Sequence, residues 1–129
     1  MGKKIGLAIL VLLVAFQFIP ANRSNPTVEP SQTIYVTLPV PADVKTVFER
    51  SCKNCHSDET SWPWYSYVAP VSWVIVHDVR QGRKAMNLSE WGGYPINIKA
   101  NKLEEICEQL TNGDMPDRKY TLIHGKGRP

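Results

Sequence analysis

The motif that most constrains this chain lies in CKNCHSDETSWPWY, which begins at Cys52. Cys52 and Cys55 are three positions apart, and His56 follows immediately. Three chemistries use cysteines in this arrangement: a thiol–disulfide redox pair, half of a zinc site, and covalent attachment of a c-type haem. Because the chain has only three Cys and three His among 129 residues, chance rarely produces this spacing.

The first 21 residues have the layout of an export signal. Lys3 and Lys4 precede an apolar segment, residues 5–19, whose lack of a polar face disfavours a buried core helix. No small-x-small cleavage site follows, which favours an uncleaved membrane anchor over a released peptide, although the segment is shorter than the ~20 residues of a comfortable span. Because lysines stay in the cytoplasm, we expect the remainder on the periplasmic side of the cytoplasmic membrane.

The rest of the chain divides into a linker and one domain. Residues 22–41 contain four prolines and no helical periodicity, which predicts an extended tether. Residues 42–129 are left for a single small domain, for which a buried prosthetic group would supply missing apolar contacts. Without Lys3 and Lys4, 13 Lys and Arg face 12 Asp and Glu, so no basic surface for nucleic acid is expected.

The residues before the cysteines argue against a redox dithiol. Val44, Val47 and Phe48 recur at helical spacing, and Asp43 is a candidate N-cap. The cysteine pair therefore follows a helix, whereas a redox pair is expected to begin one, within a β-α-β pattern.

The zinc interpretation lacks ligands. A structural zinc needs four, commonly from a second C-x-x-C or a pair of nearby histidines, and neither is present. Haem attachment needs only what the motif contains: Cys52 and Cys55 for two thioether bonds and His56 as the proximal iron ligand. We therefore expect one covalently bound haem c.

The best candidate for the second axial ligand is Met115. It follows a predicted helix stop at residues 112–113 and precedes Pro116. The helix before it has an apolar stripe at Leu103, Ile106, Cys107 and Leu110, on which Cys107 is expected to be a small buried residue.

Other axial candidates remain open. Met86 lies in a polar segment after a predicted turn at Gly82, and His77 lies in a helical stretch where a structural hydrogen bond is the commoner role. His124 is close to the end of the chain, and an open distal site is a further alternative.

Several motifs together resemble a known family. The chain has C-x-x-C-H-S, T-x-W-P-W-Y-S, P-V-S-W, G-R, N-x-S-x-W, G-x-M-P and Y-x-x-x-H in order, over residues 40–124. This set closely resembles the small bacterial haem-binding domain family of exported c-type cytochromes. The resemblance implies an all-α, cytochrome c-like domain around the haem, with Cys52, Cys55 and His56 binding it.

The resemblance also implies further site residues. Met115 matches the methionine that supplies the distal ligand in many c-type cytochromes. Trp62, Trp64 and Tyr65 match the aromatic signature, and we expect them to wall the haem. Arg83 matches the G-R position, where pairing with a haem propionate competes with a surface salt bridge.

The resemblance raises one packing question. Members of the family generally continue beyond Y-x-x-x-H with a further helix. Either residues 98–111 take over its packing on Val44, Val47 and Phe48, or this is a less stable member of the family.

The expected function is one-electron transfer to and from redox partner proteins, without enzymatic activity. Ligation by both His56 and Met115 would saturate the iron and leave no position for a substrate. The alternatives are a sensor or peroxidase-like protein with an open distal site, a module in which haem only stabilises the fold, and a C-x-x-C thiol–disulfide protein.

Overall fold

A computed structural model describes residues 2–125, and within them every regular element is helical. The longer helices are α1 (Gly2–Phe16), α2 (Ile34–Thr37), α3 (Ala42–Val47), α4 (Lys53–His56), α5 (Val71–Ala85), α6 (Ile96–Asn112) and α7 (Arg118–Ile123). Short 3-10 turns occur at Pro30–Gln32, Trp64–Tyr67 and Trp91–Gly93. The prediction of a small all-helical domain is confirmed.

Helices α3 and α4 form one nearly continuous run that ends in the cysteine motif. A π-helical turn, Phe48–Cys52, joins them. The predicted N-cap at Asp43 is wrong: Pro41 is the N-cap of α3, and Asp43 lies in the first turn. Its carboxylate still favours this end of the helix, where the macrodipole is positive.

Helix α5 is the element against which α4 packs. Its buried stripe is Ser72, Val76, Val79 and Gly82. The predicted turn at Gly82 is wrong, since Gly82 lies inside α5. A Cβ atom at this position would lie 2.4 Å from the carbonyl oxygen of Cys55, so the absence of a side chain allows α4 and α5 to approach.

Helix α6 ends as the sequence predicts, with Gly113 in the left-handed conformation (φ 75°) that favours glycine. None of its residues is buried, and Cys107 is exposed, so the expectation of a buried Cys107 is wrong. Ile106 packs against the core cluster, which contains Phe48, while Val44 stays exposed. Helix α6 therefore takes over part of the packing on the α3 face.

The core lies between the cysteine motif and the loop after α5. Its buried members are Ile34, Phe48, Met86, Leu88 and Trp91. The Leu88 amide donates to the His56 carbonyl (2.7 Å), and the Ile34 amide donates to the Leu88 carbonyl (2.9 Å). These two hydrogen bonds hold α4 and α2 against the loop after α5.

Residues 22–41, the predicted tether, are packed on the domain, so this prediction is wrong. The Arg23 guanidinium donates to the Ser66 carbonyl, and the Asn25 side-chain amide donates to the Thr60 carbonyl. Ile34 is completely buried. Buried apolar area and specific hydrogen bonds hold the segment against the domain despite its prolines.

Helix α1 leaves the domain with almost no buried surface. All its residues are exposed except Phe16, which is half-buried. Within residues 2–125, no helix combines the length and apolar character that crossing a membrane requires.

Helix α7 is fastened to the outer side of α4. The Tyr120 hydroxyl donates to the Arg50 carbonyl and accepts from the Asn54 amide, both at 3.1 Å. The Tyr120 ring stacks on His124, and Nε2 of His124 lies 2.7 Å from the Tyr65 hydroxyl. The Y-x-x-x-H motif thus joins α7 to α4 and to the turn after it.

Candidate functional site

A cavity of about 280 Å³ lies beside the cysteine motif. Its lining residues are Ser51, Cys52, His56, Ala85, Met86, Lys102, Glu105, Ile106, Gln109, Leu110, Met115 and Pro116. This volume is just below the roughly 300–1,000 Å³ that is usual for small-molecule and cofactor sites. Half of the lining residues are apolar, as a site for a flat organic cofactor requires.

Three parts of the chain meet at this cavity. The π turn and α4 supply Cys52 and His56, and the end of α5 supplies Ala85. Helix α6 and the loop after it supply Ile106 and Met115. The π turn is notable because such turns often occur at functional sites, and here it ends at the first cysteine of the motif.

His56 is oriented by the loop after α5. Its Nδ1 lies 3.2 Å from the Met86 carbonyl oxygen. A carbonyl only accepts, so Nδ1 carries the proton and Nε2 is the free acceptor. Burial lowers the pKa of His56, which favours the neutral ring. A neutral imidazole fixed through its other nitrogen is the usual form of a histidine metal ligand.

Cys52 and Cys55 are unpaired, half-buried thiols. Burial raises the pKa of each to about 11, so both stay protonated at neutral pH. A redox dithiol needs the opposite, an exposed cysteine with a lowered pKa. The surroundings of the pair therefore disfavour the thiol–disulfide alternative.

This difference predicts unequal alkylation in the haem-free protein. Exposed Cys107 should react with iodoacetamide at least about tenfold faster than Cys52 or Cys55 at pH 8, because the thiolate is the nucleophile and burial suppresses it. Peptide mass spectrometry over a time course measures the three rates. Faster modification of Cys52 or Cys55 than of Cys107 would restore the dithiol interpretation.

Both methionines of interest line the cavity, but in different settings. Met86 is 8% exposed and belongs to the core cluster, next to the carbonyl that accepts from His56. Met115 is 41% exposed and lies on the loop after α6, where its amide donates to the Gln109 carbonyl. The Met115 side chain therefore has room to turn towards a bound group, whereas Met86 is already used in packing.

Four polar lining residues were not predicted from the sequence: Ser51, Lys102, Glu105 and Gln109. The hydroxyl of Ser51 is buried without a hydrogen-bond partner among the described residues. The Lys102 ammonium contacts the Ala85 carbonyl and lies 5.0 Å from the centre of the Tyr94 ring. Lys102 is four residues before Ile106, so a helical projection of α6 places both on one face.

The residues present fit a haem. The cavity has a neutral imidazole, a thioether, a cysteine, an apolar wall, and an orphaned hydroxyl that a polar substituent could satisfy. They fit zinc poorly, because residues 2–125 contain no group of three or more His, Cys, Asp and Glu able to hold a metal ion. These donor residues therefore match haem, because its porphyrin ring supplies most of the ligands of the iron.

Arg83 is bonded to other protein groups, and its pairing with a haem propionate stays a prediction. Its guanidinium donates to the Ser57 carbonyl (2.7 Å) and to the Thr60 hydroxyl (2.9 Å) and lies 3.5 Å from an Asp58 oxygen. Further bonds reach Ser24 and Asn25. Arg83 is absent from the described cavity lining and instead holds the loop after His56 against the N-terminal segment.

The aromatic signature lies outside the described lining of the cavity, and its role as a haem wall stays a prediction. The Trp62 indole donates to Asn25, and Trp64 is 77% exposed. The Tyr65 hydroxyl contacts His124. The T-x-W-P-W-Y-S motif forms a turn on the other side of α4, where Ser66 is completely buried.

The remaining axial candidates are not brought to the cavity. His77 is exposed on α5, and His124 is held between Tyr65 and Tyr120. Neither is among the described lining residues. Of the candidates weighed from the sequence, His56, Met86 and Met115 are the ones that meet there.

Comparison with known families and structures complements this geometry. The model of a family described as a haem-binding domain matches residues 11–129, nearly the whole chain. Searches of curated proteins and of solved structures gave no significant match. The cavity, its donor residues and the extent of this match agree, and the chain belongs to the haem-binding domain family.

Proposed function

We propose that this protein is a monohaem c-type cytochrome that transfers single electrons at the outer face of the cytoplasmic membrane. The observation that carries the proposal is that Cys52, His56 and Met115 line the same cavity although Met115 is far from the other two in sequence. Covalent attachment through Cys52 and Cys55 follows from the motif. A haem bound there supplies a one-electron iron couple.

Each residue has a distinct part in holding the group. His56 presents Nε2 because Nδ1 is committed to the Met86 carbonyl. The Met115 thioether would be the second donor to the iron of a bound haem and would exclude exogenous ligands. Ile106 and Leu110 of α6 keep water from one face, and the Ser51 hydroxyl and Lys102 ammonium are available to the polar edge of the group.

An electron carrier is favoured over an enzyme by the presence of Met115 in the wall. Peroxidase-like catalysis needs an acid–base group beside an open iron position. Besides Cys52 and His56, the described wall contains two ionisable residues, Lys102 and Glu105, so the occupation of the iron position decides between the two functions. With Met115 as a ligand, no open position remains for a substrate.

We also propose that α1 holds the protein in the membrane. Its residues are apolar after Lys3 and Lys4, it has no buried face, and nothing in the described domain covers it. Exposing so much apolar surface to water is costly, at about 25 cal/mol per Å². Insertion into lipid removes this cost and leaves the two lysines at a headgroup surface.

Replacing both cysteines tests covalent attachment. In Cys52→Ser/Cys55→Ser, haem should no longer remain with the polypeptide through denaturing electrophoresis, because both thioether bonds are absent. Haem staining and intact mass measure this. Cys107→Ser is the matched control and should retain the full haem mass. Retention of haem by the double variant after denaturation would disprove c-type attachment.

A further inference from the structure

The base of α1 is bonded directly to the domain. The Gln17 side-chain amide donates to the Ala69 carbonyl (3.0 Å) and accepts from the Ala69 amide (3.0 Å). The Phe16 ring packs edge-on against Trp73 with 5.3 Å between centroids, and the Trp73 indole donates to the Ile19 carbonyl. These contacts leave no flexible linker between the apolar helix and the body of the protein.

Exposed apolar side chains flank Ala69, the attachment point, on both sides in the sequence. They are Trp64, Tyr67, Val68, Val71 and Val74, between 42% and 77% exposed, and we call them the collar. Tyr67 and Val71 lie two residues from Ala69, so their Cα atoms are within about 7 Å of it. Trp64 and Tyr67 are three apart in a 3-10 turn, where such side chains eclipse each other.

We propose that the collar is a membrane-contacting surface, which seats the domain on the lipid headgroups around α1. This inference rests on the proposed insertion of α1. Because Gln17 is bonded to Ala69, any lipid that surrounds the upper turns of α1 is also brought to the collar. The surface has the composition of an interfacial belt, in which Trp and Tyr sit at headgroup level.

A cation at the same place suits a lipid partner. The Arg23 guanidinium lies 4.2 Å from the centre of the Tyr67 ring and donates to the Ser66 carbonyl. A lipid surface with anionic headgroups would meet both the apolar side chains and this charge. The collar also adds apolar surface beyond the 15 residues of α1, which offsets the shortness of that helix.

The proposal fixes where the cavity lies relative to the membrane. Val71 begins α5 near the collar, and Ala85, at the other end, lines the cavity. At 1.5 Å per residue these two positions are about 21 Å apart. The cavity therefore lies up to about 21 Å above the headgroups, at the end of α5 that points away from the collar, where a redox partner in the aqueous phase can reach it.

A lipid-quenching experiment on the full, haem-loaded chain tests this surface. An environment-sensitive fluorophore is attached at Val71→Cys in a Cys107→Ser background. The control is the same fluorophore on native Cys107, which is exposed on α6 beside the cavity. Vesicles of phosphatidylethanolamine and phosphatidylglycerol are prepared with and without a headgroup-nitroxide lipid, and the ratio of the two emissions cancels quenching by haem.

The label at position 71 should be quenched roughly twofold or more by the nitroxide lipid, as for a group at the headgroup boundary, while the Cys107 label is unaffected. Flotation of the same vesicles reports insertion of α1 separately. Flotation without quenching at position 71 would overturn the collar and leave the anchor standing. Failure to float, with α1 shown by mass to be present, would overturn both.

Discussion

Met115→Ala should convert the haem-loaded protein from a closed to an open iron site. The variant should lose the weak long-wavelength band of methionine-ligated ferric haem and bind carbon monoxide rapidly in the reduced state. Its reduction potential should fall by on the order of 0.1 V or more, because the axial ligand is a main determinant of a range of about 0.8 V. Absorption spectra and a redox titration measure these changes.

Met86 is the control for this experiment, since it also lines the cavity. Met86→Leu keeps a similar volume in the core cluster and leaves the main-chain carbonyl that accepts from His56, so it should retain the spectrum and exclude carbon monoxide. If Met86→Leu instead opens the site and Met115→Ala does not, the ligand assignment is reversed. Rapid carbon monoxide binding by the wild type would favour the sensor or peroxidase-like alternative.

The local features of this fold could be predicted because neighbouring residues determine them. The apolar spacing of Val44, Val47 and Phe48 indicated the helix before the cysteines, although π geometry follows it. Gly113 marked the end of α6 because its left-handed backbone suits glycine. Cys52, His56 and Met115 were likewise predicted as site residues from motifs, and all three line the cavity.

The errors concern contacts between residues distant in sequence. Proline-rich composition is shared by free linkers and by segments strapped to a surface, so residues 22–41 were misassigned. Ile34 and Tyr35 within that segment were the available signal, because adjacent apolar residues are unusual in a flexible tether. The sequence shows that Arg83 is charged, but it does not show which groups contact the guanidinium. In the structure these groups are Ser57, Thr60 and Asp58.

Some family motifs that were expected to contact the cofactor lie outside the described cavity lining. Trp62, Trp64 and Tyr65 follow the predicted ligand His56 in sequence, yet they are not in the described cavity lining, and Ser57 ends α4 with an extended backbone. The described wall opposite α4 comes instead from α6, whose Lys102 and Ile106 carry no recognisable motif. The residues of a motif can therefore serve to pack the chain near α4 as well as to contact haem.

Gly82→Ala should be among the most destabilising single-methyl changes in the chain. The added Cβ would lie 2.4 Å from the Cys55 carbonyl oxygen and 2.9 Å from its carbonyl carbon, both main-chain atoms that no rotamer change can move. Helices α4 and α5 must separate, at a cost of about 1–3 kcal/mol for overpacking. The gain of about 1 kcal/mol in helix propensity on replacing glycine by alanine offsets only part of it.

The displacement should also reach the site, because Cys55 and His56 belong to the helix that α5 would push away. We therefore expect Gly82→Ala to lower both the denaturant midpoint and the yield of covalently loaded protein. Gly93→Ala is the matched control: a Cβ there meets nothing within 4 Å, so its stability should change by less than about 0.5 kcal/mol. Equal midpoints for the two variants would show that α4 and α5 are not in close contact at Gly82, and the position of His56 beside the cavity would then need another explanation.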